Sequence, residues 1–236
     1  MNNQRQVALA LLNYEKAHAR FPGYVNRIPR ADDDPVVASW VVLLFPYLER
    51  NDLAKLWREG NRQAVYMQVM TCPRDPPAEP SAGTPFLGYV VNCGRPGDSG
   101  SAADGVFHNH NLDADPVDVS LEFINQHDGA ETTLMFSENI QAGLWTDTGE
   151  ADLGMVWRPV PGPCSPINQC RDAGDRPQDI RYARPSSNHS GGVVASFCDG
   201  HLQFLSEDVD YGVFQHLMTP DGKGAGLSGP PNPAQP

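Results

Sequence analysis

His189-Ser-Gly-Gly-Val-Val-Ala-Ser-Phe-Cys-Asp199-Gly200-His-Leu-Gln-Phe-Leu-Ser206 carries the strongest structural signal in the chain. Two apolar runs with alternating faces, residues 193–198 and 201–205, lie on either side of Asp199-Gly200. An Asp-Gly pair suits the positive φ values of a type I′ turn. The stretch therefore predicts a C-terminal β-hairpin.

The N-terminal part of the chain predicts helices. One apolar stripe recurs at spacings of four and three residues, formed by Val7, Leu11, Tyr14, His18 and Phe21. Pro22-Gly23 would end this helix, so we expect it over about residues 4–21. A second helical region is expected over about residues 39–58, and a β-rich region over about residues 65–206. Helices followed by strands favour an α+β fold, with the N-terminal helix packed on an antiparallel sheet with long loops.

Length and composition favour one domain. A chain of 236 residues with 22 Gly and 22 Pro can bury a substantial core and has many turn-forming positions. We expect a single globular head over residues 1–223. Residues 224–236 are of low complexity and are expected to form a flexible tail.

Charge is concentrated in the middle of the chain. Residues 96–157 contain twelve acidic residues and no Lys or Arg, within a chain of net charge -12. Nucleic-acid and membrane-surface binding depend on Lys and Arg, so both are disfavoured. The segment can form a solvated acidic face, attract a cationic partner or hold calcium.

Five cysteines indicate an oxidising, extracytoplasmic compartment. Cys72 can pair with Cys93 across a Pro-rich loop, and Cys164 can pair with Cys170 across a five-residue loop. Cys198 is left over, and its place in an alternating apolar strand predicts a small buried side chain. No Cys-x2-Cys pair is present, so disulfides are favoured over a structural zinc site.

The spacing His189-x(9)-Asp199-Gly200 resembles the signature of a large planctomycete family of prepilin-like proteins of unknown function, which are similar to type II secretion pseudopilins. Four further blocks occur in the order typical of that family: Asn2-Asn3-Gln4 to Tyr14 with Phe21-Pro22-Gly23, Ser39-Trp40 to Leu48-Glu49, Cys72-Pro73-Arg74-Asp75, and Gly129-Ala130-Glu131-Thr132-Thr133-Leu134 with Glu138-Asn139. The chain departs from the pattern at Arg74, Glu131 and Cys198.

The resemblance implies a non-enzymatic, extracytoplasmic protein at the cell surface or in the periplasm. It also implies a prepilin-type leader and a long apolar helix upstream of Asn2, which would anchor the precursor in the membrane. The partners would be pilin-like or secretion-system subunits, including further copies of the chain. Acidic loops of the head, residues 98–118 and 147–152, would be displayed outward.

His189 is also a candidate for catalysis, but no nucleophile and base in the sequence form a convincing set with it. We expect His189 to fix the entry to the first hairpin strand through its two ring nitrogens. Asp199 and Gly200 would organise the turn. A metal-dependent hydrolase that uses His189, His108 or His110 is a remaining alternative.

Two sets of residues are candidate metal ligands. His108 and His110, at i and i+2, can lie on one side of an extended segment and precede Asp113 and Asp115. The resemblance to pseudopilins, which often hold calcium in a loop near the C-terminal sheet, suggests a second set: Glu207, Asp208, Asp210 and Asp221. Calcium is therefore the expected cation, if any is bound.

Trp145 and Trp157 lie in the acidic segment and are candidate platforms for stacking on sugars. The corresponding alternative function is an extracellular glycan- or solute-binding module. Burial of both indoles in the core is the competing interpretation and is favoured over the platform, and Trp40 and Trp57 are also expected in the core.

Overall fold

The computed structural model describes residues 2–29, 34–76, 83–97, 99–112, 115–170 and 179–229. Six α-helices are described: α1 (Asn2–His18), α2 (Trp40–Leu43), α3 (Asn51–Arg58), α4 (Leu121–Gln126), α5 (Glu150–Leu153) and α6 (Tyr211–Met218). Three short 3-10 helices span Phe45–Leu48, Gln68–Met70 and Ile180–Tyr182. Eight strands are described: β1 (Val25–Ile28), β2 (Val36–Ser39), β3 (Tyr89–Gly94), β4 (Asn109–His110), β5 (Leu134–Glu138), β6 (Gly154–Val156), β7 (Gly192–Phe197) and β8 (Leu202–Ser206).

The strands form two mixed sheets. The larger has the order β6-β3-β5-β7-β8, and the smaller has the order β2-β1-β4. Most pairs are antiparallel, but β3 pairs with β6 and β1 pairs with β4 in parallel. The expected α+β class is confirmed, with the N-terminal helix packed on the sheets, and these sheets are mixed rather than antiparallel throughout. The parallel pairing of β3 with β6 is possible because the long connection between Gly94 and Gly154 brings the chain back beside β3 in the same direction.

The N-terminal helix packs on the body of the protein through the predicted stripe. Val7, Leu11 and Tyr14 are buried, and α1 contacts β7 and the 3-10 helix Gln68–Met70. The helix ends at His18 because Ala19 adopts a left-handed φ of 55°. It therefore ends three residues before the predicted position, and Phe21 enters the core from the following loop.

The C-terminal hairpin is confirmed, with β7 and β8 paired from Gly192↔Ser206 to Ser196↔Leu202. Its turn is not type I′. Gly200 has a φ of 90°, but Asp199 does not adopt a positive φ, and Gly200 N–H donates to Phe197 O at 2.9 Å. This is a type I turn followed by a left-handed Gly, the usual connection for a three-residue loop. The Asp199 carboxylate accepts from the backbone N–H of His201 at 2.9 Å.

Candidate metal centre

Cys72, Glu138 and His189 converge beside the C-terminal end of β5 and the start of β7, two interior strands of the larger sheet. Cys72 follows the 3-10 helix Gln68–Met70, Glu138 is the last residue of β5, and His189 precedes β7. His189 Nε2 lies 3.2 Å from Glu138 Oε1 and 3.8 Å from Cys72 Sγ. The three ligand atoms all lie within 4.8 Å of one another. Residues separated by up to 117 positions in sequence thus form one cluster.

The Glu138 carboxylate is held in place by the sheet. Its side chain is 4% exposed. Oε2 accepts a hydrogen bond from the backbone N–H of Val194 at 2.9 Å, which leaves Oε1 facing His189. Because β5 and β7 are paired antiparallel, the end of β5 lies beside the start of β7. Strand pairing therefore fixes both the position and the orientation of this carboxylate.

The Cys72 thiol is held by a tight loop. The backbone carbonyl of Cys72 accepts a hydrogen bond from Asp75 N–H at 2.9 Å, and Gly88 N–H donates to Met70 O at 2.8 Å. A Cβ at Gly88 would lie 3.1 Å from the Cys72 nitrogen, so the two segments approach closely. Burial, together with a hydrogen bond to Glu138, raises the pKa of Cys72 to about 11. At neutral pH this thiol keeps its proton in the absence of a cation.

His189 is positioned by the loop that leads into β7. Its backbone N–H donates to Ser187 Oγ at 3.0 Å, and Ser187 Oγ donates to Gly192 O at 2.7 Å. The His189 side chain is 23% exposed, so the cluster opens to solvent on this side. Asp199 and Gly200 lie at the opposite end of β7, a strand of six residues or about 20 Å. The two ends of the His-x(9)-Asp-Gly motif therefore belong to different sites.

The arrangement does not have the geometry of a nucleophilic relay. In such a relay, one ring nitrogen of the histidine faces the nucleophile and the other faces the orienting acid. Here Nε2 faces both Cys72 and Glu138. Reactive cysteines also have a lowered pKa, whereas that of Cys72 is raised. The three side chains instead direct a sulfur, a nitrogen and an oxygen atom at a common point, which is an arrangement of metal ligands.

The His108 and His110 set is not brought together as a site. His108 is 2% exposed, with Nε2 3.1 Å from Gly105 O. His110 Nε2 lies 3.0 Å from Val117 O, and burial lowers the pKa of this imidazole. Asp113 lies outside the described residues, and Asp115 is exposed. Within the described ranges, Cys72, Glu138 and His189 are the one group of three such side chains with mutually close ligand atoms.

The four acidic residues after the hairpin have separate partners. Glu207 accepts from Asn168 Nδ2 at 2.8 Å, and Asp210 caps α6 by accepting from Gly212 and Val213 N–H groups. Asp221 accepts from Gly224 N–H and lies 3.7 Å from His127. Asp208 has its backbone N–H bonded to Ser206 Oγ. The Asp210 carboxylate caps a helix, that of Asp221 closes a local turn, and that of Glu207 bonds a distant loop, so the described contacts do not bring the set together as one site.

Trp145 and Trp157 do not form a platform for sugars, because both are buried, with exposures of 0% and 1%. The Trp145 indole donates to Val65 O at 3.0 Å, and that of Trp157 donates to Asp104 O at 2.8 Å. Trp145 packs edge-on against Phe45. The platform alternative is therefore excluded, because each indole N–H donates to a backbone carbonyl, which permits full burial of the ring.

Of the two expected disulfides, Cys164–Cys170 is confirmed, with a Cα–Cα distance of 5.4 Å. The Cys72–Cys93 pairing is wrong, and both residues are buried thiols outside any disulfide. Cys72 belongs to the cluster, whereas Cys93 lies on β3 with its sulfur beside Gly154. Cys198 is fully buried, as its strand pattern predicts. The one disulfide suggests an extracytoplasmic location.

Local sequence patterns do not reveal the cluster. They predict a loop-fixing or metal-binding role for His189 and a disulfide for Cys72, and they give Glu138 no separate role. Zinc sites are recognised in sequence by short Cys and His spacings, whereas these ligands are 51 or more residues apart. The available signal was that three separate blocks each contain one metal-binding side chain.

The fold and the cluster define an α+β protein with a helix packed on mixed sheets and a Cys-Glu-His group at the ends of two interior strands. A family model described as "Protein of unknown function (DUF1559)" matches residues 1–212, and the chain belongs to this family. No curated protein and no solved structure matches the chain. Among the described residues, none of the helices has the length and apolar character needed to cross a membrane.

Proposed function

We propose that this chain is the head of a non-enzymatic, extracytoplasmic, pilin-like or pseudopilin-like protein. In this proposal the protein assembles with like subunits through a helical segment continuous with the N-terminal end of α1, and its function is structural. The observation that supports it best is the docking of α1 on the head. The Cys164–Cys170 disulfide supports the extracytoplasmic part of the proposal.

Hydrogen bonds join the first turn of α1 to the head, at the end from which an assembly helix would extend. Gln4 Nε2 donates to Val194 O at 2.8 Å, which joins the first turn of the helix to β7. Asn3 Nδ2 donates to the carbonyls of Gln68 and Thr71, both at 2.9 Å. Val7 and Leu11 then bury the apolar stripe. A load applied along the helix would therefore pass into the larger sheet.

One face of the same helix remains available for a neighbour. Leu9 is 61% exposed and is flanked by the exposed residues Arg5 and Gln6. In a bundle of parallel helices, an exposed Leu on an otherwise polar face is a suitable packing position. We assign this face of α1 to subunit contacts.

The displayed acidic surface differs from the two loops expected from sequence. Asp104 and Asp152 are buried, with exposures of 3% and 9%, and Asp98 lies outside the described residues. Among the described residues of the acidic segment, the exposed carboxylates are those of Asp115, Asp118, Glu122, Asp128 and Glu131. These residues would face solvent or a cationic partner in the assembly.

The test uses the complete gene product in its native cells, with cysteine cross-linking as the measurement. Leu9→Cys places a thiol on the proposed contact face, and Val160→Cys is the matched control because Val160 is 73% exposed on the head. We expect a processed N-terminus, membrane association, and cross-linked oligomers for Leu9→Cys in excess of Val160→Cys. A precursor that is never processed or membrane-associated, or equal cross-linking by both variants, would contradict the proposal.

A further inference from the structure

We propose that Cys72 Sγ, Glu138 Oε1 and His189 Nε2 bind one Zn²⁺ ion, with a water molecule in the fourth position. The proposal concerns a site distinct from the assembly role above. It rests on the geometry of the three ligands, on the charge of the buried carboxylate and on the way the surrounding backbone fixes each side chain.

The two distances that involve His189 Nε2 are close to those of a tetrahedral zinc site. Zn–S bonds of about 2.3 Å and Zn–N and Zn–O bonds of about 2.1 Å, arranged tetrahedrally, separate sulfur from nitrogen by about 3.6 Å and nitrogen from oxygen by about 3.4 Å. The observed separations are 3.8 Å for Cys72 Sγ to His189 Nε2 and 3.2 Å for His189 Nε2 to Glu138 Oε1. Each of these two separations differs from the tetrahedral value by about 0.2 Å, and the third pair of ligand atoms, on Cys72 and Glu138, lies within 4.8 Å.

The charge at the site favours a cation. Glu138 is a buried carboxylate, and a buried charge is costly without a compensating partner. Within the part of the chain that the structure describes, its ion pairs include His189 but no Lys or Arg. Zn²⁺ would neutralise Glu138 and the Cys72 thiolate together, and it would leave the imidazole neutral.

The surroundings hold each ligand before any ion binds. Val194 N–H occupies the second oxygen of Glu138, so that Oε1 is free to face the site. Asn188 Nδ2 donates to Asp75 Oδ1 at 2.8 Å, which ties the loop of His189 to the loop of Cys72. Such partners of ligands typically strengthen metal binding by fixing ligand orientation.

The ligand types select zinc rather than calcium. Ca²⁺ takes six to eight oxygen ligands, whereas this cluster offers one carboxylate together with a sulfur and a nitrogen. A borderline-soft set of this kind suits Zn²⁺ or the spectroscopic substitute Co²⁺. The 23% exposure of the His189 side chain gives water access to the fourth position.

The test measures metal binding by the purified, chelator-treated chain with Zn²⁺ and Co²⁺ as probes. We expect one Zn²⁺ per chain, a higher Tm with Zn²⁺, and a Co²⁺ complex with thiolate-to-metal charge-transfer absorption. Cys72→Ser should abolish that absorption. His189→Gln should weaken Zn²⁺ binding more than about 10-fold, since even loss of an outer partner of a ligand typically costs that much.

The matched controls are Cys93→Ser, which changes another buried thiol, and His201→Gln, which changes a histidine at the far end of the hairpin. Both should retain stoichiometric Zn²⁺ binding and the Co²⁺ spectrum. Circular dichroism of each variant establishes that it is folded, and His189→Gln provides a second variant if Cys72→Ser does not fold. Absence of stoichiometric binding by the parent chain, or undiminished binding by folded His189→Gln, would overturn the proposal. Zinc binding by the purified chain is measured without filament assembly, so failure of the zinc proposal can be distinguished from failure of the assembly proposal.

Discussion

Gln4 Nε2 donates a hydrogen bond of 2.8 Å to the backbone carbonyl of Val194, across 190 positions of sequence. The N–H of the same Val194 donates to Glu138 Oε2 at 2.9 Å. One residue of β7 therefore connects the first turn of α1 to the carboxylate of the cluster. The relationship links α1, the proposed assembly helix, to the candidate metal centre through a single residue.

We predict that Gln4→Ala destabilises the protein by about 1–3 kcal/mol, because it removes the donor to a buried carbonyl. Gln4 is 0% exposed. Gln6→Ala is the matched control, since Gln6 is exposed on the same helix, and its effect should be within about 0.5 kcal/mol. Urea unfolding of both variants measures the difference. Equal free energies of unfolding would show that the Gln4 bond adds nothing to stability.

The disulfide assignment predicts the number of titratable thiols. Five cysteines with one disulfide leave three thiols, those of Cys72, Cys93 and Cys198. The protein denatured without reductant should therefore react with three equivalents of a thiol reagent, and with five after reduction. Cys164→Ser should leave four reactive thiols without reductant. A single reactive thiol in the parent would mean that two of these three cysteines are paired and would contradict the assignment.

Local patterns were sufficient to predict the helix and the hairpin. The stripe of Val7, Leu11 and Tyr14 gives α1, and the alternation around Asp199-Gly200 gives β7 and β8, because both signals depend on residues close in sequence. The turn type was missed because Asp-Gly also fits a type I turn followed by a left-handed Gly.

The cluster could not be predicted from local patterns. It depends on the pairing of β5 with β7, which places Glu138 beside Val194, and on the close approach of the loops at Cys72 and Gly88. Neither relationship has a short-range signal. The burial of Trp145 likewise depends on a distant carbonyl, that of Val65, which accepts its indole N–H.

Gly200 in the hairpin turn can be compared with Gly191, which precedes β7, because both glycines have a positive φ. Gly200 has a φ of 90° and Gly191 has a φ of 80°, so Ala is strained at either position by about 1–2 kcal/mol. A Cβ at Gly200 would also lie 2.8 Å from Leu12 Cδ1, whereas nothing lies within 4 Å of one at Gly191. We expect Gly200→Ala to lower Tm more than Gly191→Ala. Calorimetry measures both, and an equal loss would mean that Leu12 moves aside without cost.

Alkaline pH should destabilise the protein partly through Cys198. Burial raises the pKa of this thiol well above its ordinary value of 9.0. Between that value and the folded-state pKa, the unfolded chain loses the proton while the folded chain keeps it. The folded state then binds more protons, so the free energy of unfolding falls as pH rises, by up to about 1.4 kcal/mol per pH unit for one group.

Cys198→Ala removes this group, so its stability should fall less steeply than that of the parent above pH 9. Cys72 also has a raised pKa, and it leaves a residual slope in both proteins. The slopes are compared rather than the absolute values, because Cys198→Ala also removes a buried sulfur and lowers stability at every pH. Urea unfolding at intervals between pH 7 and about pH 10.5 gives both curves. Parallel curves above pH 9 would show that Cys198 titrates alike in the folded and unfolded chains, which full burial of its thiol opposes.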